Sequence, residues 1–272
     1  MTALLRAEII KQARRPRTYV ALGLMALIPI IITFALWANP PTPSPDANGD
    51  QFFYLATQSG LLLPAAILNV MSRFLLIGVA ALFAGDAIAS EAAWGNLRAL
   101  LVRPIRRERL LAVKLAIAAG LSLLATLIIV VTALVAGWVT WGWHGLNIGA
   151  FVPYQSVGTL LGHLAIATGY IAWSLSSIVA FGFMISTMTD SPVGAAAAAF
   201  GLYVTSSILD NISAIGVIRN GFPTHYLNAW QDLFARNVAS SDMARGALLQ
   251  VGYIIVFCGI GWWYFRRKDV MS

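Results

Sequence analysis

The chain has 272 residues, of which 59% are hydrophobic and only 11% are charged, and its formal net charge is +7. Soluble domains carry about 25% charged residues, so this composition excludes an ordinary soluble protein and favours a lipid environment. The cations lie beside apolar segments, as expected for contact with anionic lipids of the inner leaflet. Because they form no separate basic surface, we expect no nucleic-acid partner.

Six apolar segments are long enough to cross a bilayer, which requires about 20 residues per helix. The predicted spans are residues 19–38, 61–88, 110–138, 159–188, 193–209 and 248–265. The sequence therefore predicts an all-α integral membrane protein, in which residues 1–272 form a single transmembrane domain.

The segment before the first span, residues 1–18, carries five cations. Leu5, Ile9 and Ala13 recur within it at helical spacing. A narrow apolar stripe between cations is typical of a helix that lies in the membrane interface, so we predict an interfacial (elbow) helix here. The alternative is a disordered basic tail.

Three connecting segments are predicted to lie outside. Residues 39–60 contain four closely spaced prolines and are expected to form an extended loop. Residues 139–158 are rich in tryptophan and tyrosine, which favour the water–lipid boundary. Residues 210–245 form a longer polar external segment, predicted to be a short helix or a re-entrant pair on the membrane. The apolar side of that helix is formed by Tyr226, Trp230, Leu233 and Phe234.

The distribution of the 18 cations predicts the orientation. Five precede the first span, six lie between residues 98 and 114, and three follow the last span, whereas the outer segments hold three. Loops rich in Lys and Arg are retained in the cytoplasm. We therefore expect both termini to be cytoplasmic, in a multi-pass protein of the bacterial cytoplasmic (inner or plasma) membrane.

The predicted second span contains two polar residues, Asn69 and Arg73. A charge in mid-membrane costs at least about 2.5 kcal/mol, so such residues usually face a bundle interior or a water-filled cavity. We take both as candidate contacts for a polar or anionic substrate, with spans two and five as candidate linings of its path. Two alternatives remain, namely that Arg73 reaches the interface or that the span begins later.

No catalytic or metal-binding motif stands out. The sequence has no Gly-Lys pair and hence no phosphate-binding loop of the Gly-x-x-x-x-Gly-Lys type, so we expect no ATPase activity of its own. The motifs His-Glu-x-x-His and Gly-x-Ser-x-Gly are also absent. His144, His163 and His225 lie in separate segments. An intramembrane enzyme is therefore poorly supported, and we predict no catalytic residue, metal or cofactor in this chain.

Residues 85–114 are the basic segment between spans two and three. It contains an acidic residue before a glycine, a leucine-rich turn, a Pro-x-x-Arg and a downstream lysine. The residues concerned are Glu91, Gly95, Leu97, Leu100, Leu101, Pro104, Arg107 and Lys114. This pattern resembles the first cytoplasmic loop of the permease subunits of type 2 ATP-binding cassette (ABC) exporters. The ending Phe-Arg-Arg-Lys-Asp at residues 265–269 is similar to the usual finish of that family, and the likeness covers essentially the whole chain. Asn96 departs from the pattern, since threonine is common there.

The resemblance implies that two such subunits pair and that each docks on a separate ABC ATPase subunit, which binds ATP and Mg. Docking would use the coupling loop, residues 89–109. A short helix over residues 90–101 is expected to end near Pro104, since the residue before a proline disfavours helix. Leu97, Leu100 and Leu101 would fill a pocket of the partner, while Arg98, Arg106 and Arg107 would meet its acids.

Glu91 is expected to pair with a basic residue of the same loop and thereby to hold its angle to the neighbouring spans. The alternative is that the loop serves only to set topology. A standalone secondary transporter or channel also remains open, although the two halves of the chain show no convincing internal repeat of the kind found in many secondary transporters. The substrate, and the choice between homodimer and heterodimer, are not indicated.

Overall fold

A computed structural model describes residues 2–41, 48–95, 107–148, 152–234 and 240–267. Within these ranges the chain forms nine α-helices and one pair of short antiparallel strands. The helices are α1 Thr2–Ala13, α2 Pro16–Ala38, α3 Asn48–Gln58, α4 Leu63–Met71, α5 Leu75–Ala93, α6 Arg107–Trp141, α7 Val157–Met188, α8 Pro192–Asp210 and α9 Ser241–Arg267. The strands are β1 Leu146–Ile148 and β2 Val152–Gln155, and 3-10 helices cover Gly60–Leu62, Ser213–Gly221 and Ala229–Phe234.

Six of these helices, α2, α5, α6, α7, α8 and α9, are long and apolar enough to cross a membrane. Their number confirms the prediction of six membrane-crossing helices, and the chain has the character of a multi-pass membrane protein. The bounds of α2, α6, α7 and α8 lie within three residues of the predicted ones. Helix α9 begins seven residues earlier than predicted, at Ser241 rather than residue 248.

The prediction of one continuous second span over residues 61–88 is wrong. The chain forms the short helix α4, breaks at residues 72–74, and only then starts α5, which continues to Ala93. Phe74, with φ −138° and ψ −58°, departs from helical geometry at the break. Helix α4 is apolar because it is buried against other helices, with Leu63, Ile67 and Leu68 fully covered. Apolar composition alone does not distinguish burial in protein from burial in lipid.

The extended loop predicted for residues 39–60 is also wrong over residues 48–58, which form α3. The end of this helix is anchored to the end of α6, because the Ser59 hydroxyl donates to the His144 carbonyl (2.8 Å) and the Gly60 amide donates to the Gly142 carbonyl (3.1 Å). Ala56 is fully buried. Burial of this apolar face stabilises a helix that the prolines upstream do not reveal.

The other two segments that were predicted to be external differ from expectation in their secondary structure. Residues 139–158 continue α6 to Trp141 and then form the β1–β2 hairpin, a small exception to the otherwise helical fold. The segment after α8 contains two 3-10 helices instead of an α-helix. In the second of them Trp230 and Leu233 are buried and pack in the main core. The apolar side predicted for this segment therefore faces the protein.

The helix ends that carry the charged residues meet at one end of the bundle, which we call the basic end and define by Arg15, Glu91 and Lys114. Helix α1 and the last turn of α9 both lie there, because Lys11 contacts Glu91 and Arg107 contacts the Arg266 carbonyl. Between the two ends, α5 is the central helix and packs against α6, α7 and α8.

The contact between α5 and α8 depends on Gly85. A Cβ atom at this position would lie 2.5 Å from the Ala196 amide nitrogen and 2.9 Å from its Cα atom. Small residues let helix backbones approach closely in lipid. We therefore expect Gly85→Ala to push the two helices apart and to cost about 1–3 kcal/mol of unfolding free energy.

The measurement is the thermal unfolding of the purified protein in detergent micelles. Gly201→Ala on α8 is the matched control, since a Cβ there meets nothing within 4 Å. Equal unfolding temperatures for the two variants would contradict the proposed close approach.

Candidate functional site

The basic end contains a buried ionic cluster centred on Glu91 and Lys114. The Lys114 ammonium lies 3.1 Å from Glu91 Oε1 and 3.3 Å from Glu8 Oε2, and Lys11 also contacts Glu91. Glu91 is 2% exposed and the side chain of Lys114 is 5% exposed. Glu91 lies in the last turn of α5, Lys114 lies in the first turns of α6, and Glu8 and Lys11 belong to α1, so these pairs join three helices.

A second group of charges joins α5 to the start of α2. The Asp86 carboxylate contacts Arg15, and its Oδ1 atom lies 2.5 Å from the Arg17 guanidinium. The Arg15 guanidinium also reaches the Ser90 hydroxyl at 3.4 Å, and that hydroxyl donates to the Asp86 carbonyl at 2.6 Å. Asp86 is buried. The entry of the chain into α2 is thereby held against the last two turns of α5.

The cost of burying these ions explains why they pair. An isolated buried charge is strongly disfavoured, so buried ions in proteins are paired and hydrogen-bonded. Removing one partner of such a pair lowers the folding stability by far more than the intact pair contributes to it, because an uncompensated buried charge remains. The cluster therefore holds the ends of α1, α2, α5 and α6 in one arrangement around the base of the loop that joins α5 to α6.

The start of that loop is set by Gly95. Helix α5 ends at Ala93, the Gly95 amide donates to the Ala92 carbonyl at 3.0 Å, and Gly95 has φ +67°. A residue in the left-handed region just after a helix is usually glycine, because it has no Cβ. Residues 90–93 are thus the last turn of α5, and the prediction of a separate helix over residues 90–101 is wrong for this part. Leu97, Arg98, Leu100, Leu101, Pro104 and Arg106 lie outside the described residues.

The far side of the loop begins at Arg107, the first residue of α6. Its guanidinium donates to the Arg266 carbonyl at 3.5 Å, in an exposed position near the end of α9. The structure thus brings Glu91 and Lys114 together, whereas it places Arg107 beside α9.

Asn69 and Arg73 lie at the opposite end of the bundle. The Asn69 Oδ1 atom accepts hydrogen bonds from Gln231 Nε2 at 2.6 Å and from Arg73 Nη2 at 3.1 Å. Asn69 is buried, while Arg73 is exposed in the break before α5. Arg73 therefore does not lie inside a membrane-crossing helix, and the alternative in which the span begins later agrees with the structure.

A family model matches residues 26–271 of this chain, which is most of its length. Its description is "Protein of unknown function (DUF2705)". The chain belongs to this family. A search of curated proteins found no match. The DUF2705 match includes Asp86, Glu91 and Lys114, whereas Glu8 and Lys11 on α1 precede it.

The helices named as candidate linings differ in how they are covered. Most of α5 in this DUF2705 protein is buried by its neighbours, and Ala93 in its last turn is the one residue of this helix that is exposed. Helix α8 has two faces, since Ala195 and Ala199 are buried whereas Gly194, Ala197 and Ala198 are exposed. Of these two helices, only α8 presents a long exposed face.

Five members of the ionic cluster were not among the predicted site residues, namely Glu8, Lys11, Arg15, Arg17 and Asp86. The sequence contains a signal for two of these residues, Glu8 and Asp86. Glu8 is the only acid before residue 46, and Asp86 is an acid inside an apolar span. A charge inside a span calls for a partner. The sequence does not identify that partner, because Asp86 is 71 residues from Arg15 along the chain.

The histidines lie in separate places. The His225 Nδ1 atom is 2.5 Å from Asp210 Oδ1, whereas the His163 ring packs edge-on against Phe234. Among the residues that the structure describes, no group of three or more His, Cys, Asp or Glu side chains is placed to hold a metal ion.

Proposed function

We propose that this chain is the transmembrane permease subunit of a type 2 ABC exporter, which moves a substrate across the membrane using ATP hydrolysed by a separate subunit. The observation that carries the proposal is the buried cluster of Glu91, Lys114, Glu8 and Lys11 at the base of the basic segment. Both flanks of the coupling loop, residues 89–109, are held by it. In this proposal the basic end faces the cytoplasm and carries both termini.

A fixed base lets the loop act as a lever. A partner that moves residues 96–106 also moves the end of α5 and the start of α6. The ion pairs at Lys11, Arg15 and Arg17 pass the displacement to α1 and α2. Coupling of this kind travels through packed helices and salt-bridge networks that move as units.

The proposal assigns different roles to the ATPase subunit and to the permease subunits. The partner ATPase would bind ATP and Mg, and this chain would contribute no catalytic residue. Two permease subunits, identical or different, would enclose the path, with the exposed face of α8 available as a lining. Residues 1–18 would form the interfacial helix and residues 210–245 the external segment of one transmembrane domain in the bacterial cytoplasmic membrane.

Arg73 and Asn69 would meet a polar or anionic substrate group at the outer end of the path. We expect Arg73→Ala to reduce export while its stability stays within about 0.5 kcal/mol of the parent, because the side chain is exposed. ATP-dependent accumulation of substrate within inside-out vesicles and thermal unfolding in micelles measure the two effects. Arg219→Ala, at a half-buried cation of the external segment, is the control, and loss of folding in Arg73→Ala would assign that residue a structural role.

The proposal is tested by affinity purification of the tagged chain from its native membrane in mild detergent, followed by mass spectrometry and an ATPase assay. We expect an ABC ATPase subunit to co-purify and to be lost when the coupling loop is altered. A pure, active preparation without any ATPase would contradict the proposal and favour a standalone transporter.

A further inference from the structure

A groove of about 540 Å³ opens beside the ionic cluster, between α1, the start of α2 and the end of α5. Its walls include Lys11, Arg14, Arg15 and Arg17, and the acid Glu91 lies at its inner side. Trp94, which is 76% exposed, forms the opposite edge. The groove is therefore lined by four cations and one large aromatic ring.

The cations of the groove exceed the acids that neutralise them. Asp86 is shared by Arg15 and Arg17, and Glu91 is shared by Lys11 and Lys114. Arg14 is exposed and contacts no acid among the described residues. Two guanidinium groups, those of Arg14 and Arg17, thus remain accessible to a further anion. Guanidinium groups bind phosphate oxygens in a bidentate manner, which makes a phosphate group the best match.

The surroundings of the groove are apolar on the side of α2. Val20 and Leu24 follow Arg17 at helical spacing and are 63% and 45% exposed. Leu27 and Ile31 continue the same exposed stripe along this membrane-crossing helix. A ligand with its phosphate beside Arg17 could therefore lay a hydrocarbon chain along α2. A soluble anion would make no use of this stripe.

We propose that the groove is a binding site for the phosphate headgroup of an anionic phospholipid, with its acyl chain along α2. Arg14 and Arg17 hold the phosphate, and Trp94 covers the glycerol region at the membrane interface. Basic pockets between helix ends are suited to anionic headgroups, which contribute about 1 kcal/mol per nearby cation. The proposal does not depend on the function proposed above.

The test uses native mass spectrometry of the delipidated full-length chain in detergent, titrated with phosphatidylglycerol or with phosphatidylcholine of identical acyl chains. We expect phosphatidylglycerol to form the tighter one-to-one adduct. In the variant with Arg14→Gln and Arg17→Gln, the affinity for phosphatidylglycerol should fall about thirtyfold, or about fivefold per cation removed. In Arg14→Gln alone, which breaks no ion pair, the affinity for phosphatidylglycerol should fall about fivefold. This single variant shows the effect of a lost cation even if the double variant has a folding defect.

The matched control is the variant with Arg266→Gln and Arg267→Gln, which removes two cations from the same end but outside the groove. We expect this control to keep the phosphatidylglycerol adduct. An equal loss in both double variants would overturn a discrete site and leave only general surface charge. Equally tight binding of glycerol phosphate would overturn the lipid assignment, because the acyl chain would then contribute nothing.

Discussion

Replacing Lys114 with methionine is expected to lower the unfolding free energy by about 3 kcal/mol, near the lower limit for breaking a buried ion pair. The change leaves Glu8 without its cation and leaves Glu91 with only the partly exposed Lys11. Methionine fills a similar volume, so the loss reports charge more than packing. Denaturant or thermal unfolding in micelles measures it.

Two further variants separate charge from other effects. Arg109→Gln removes an exposed cation from the same first turns of α6 and should leave stability within about 0.5 kcal/mol of the parent. Combining Lys114→Met with Glu8→Gln should restore part of the loss, since residues in one salt-bridge network couple by about 0.5–3 kcal/mol. A fully additive double variant would show that Glu8 and Lys114 do not interact.

Gly95→Pro is expected to leave the protein inserted while it uncouples the partner ATPase that we propose. Gly95 has φ +67°, whereas proline fixes φ near −65°, so the chain after α5 must leave in another direction. We expect substrate-stimulated ATPase activity of the reconstituted complex to fall about tenfold, within the usual range of coupling energies. Insertion is checked by protease accessibility.

Gly95→Asn is the matched control, because asparagine tolerates positive φ and a Cβ there meets nothing within 4 Å. Its stimulated activity should stay close to that of the parent. A second disruption, Leu100→Asp with Leu101→Asp, should uncouple the ATPase through the docking surface itself. Unchanged transport and ATPase stimulation in Gly95→Pro would rule out the lever role of the loop.

The number and approximate bounds of the membrane-crossing helices were predictable because hydrophobic length is a local property. Helices α6 and α7 agree with prediction to within three residues at each end. The errors arose where apolar residues are covered by protein. Helix α4 and the 3-10 helix around Trp230 are apolar for that reason, and hydropathy assigns them wrongly to a span or to the membrane surface.

The sequence by itself determined that this is a multi-pass helical membrane protein with one strongly basic segment between two spans. It also indicated Glu91 and Lys114, which lie 23 residues apart within that segment. Only the tertiary structure showed that Glu8 belongs to the same ion-pair network, although it lies 106 residues before Lys114 in the sequence. The physical reason is that the free energy of transfer to lipid is a sum over the residues of one segment. An ion pair depends instead on the distance between two side chains, and the packing of separate helices sets that distance.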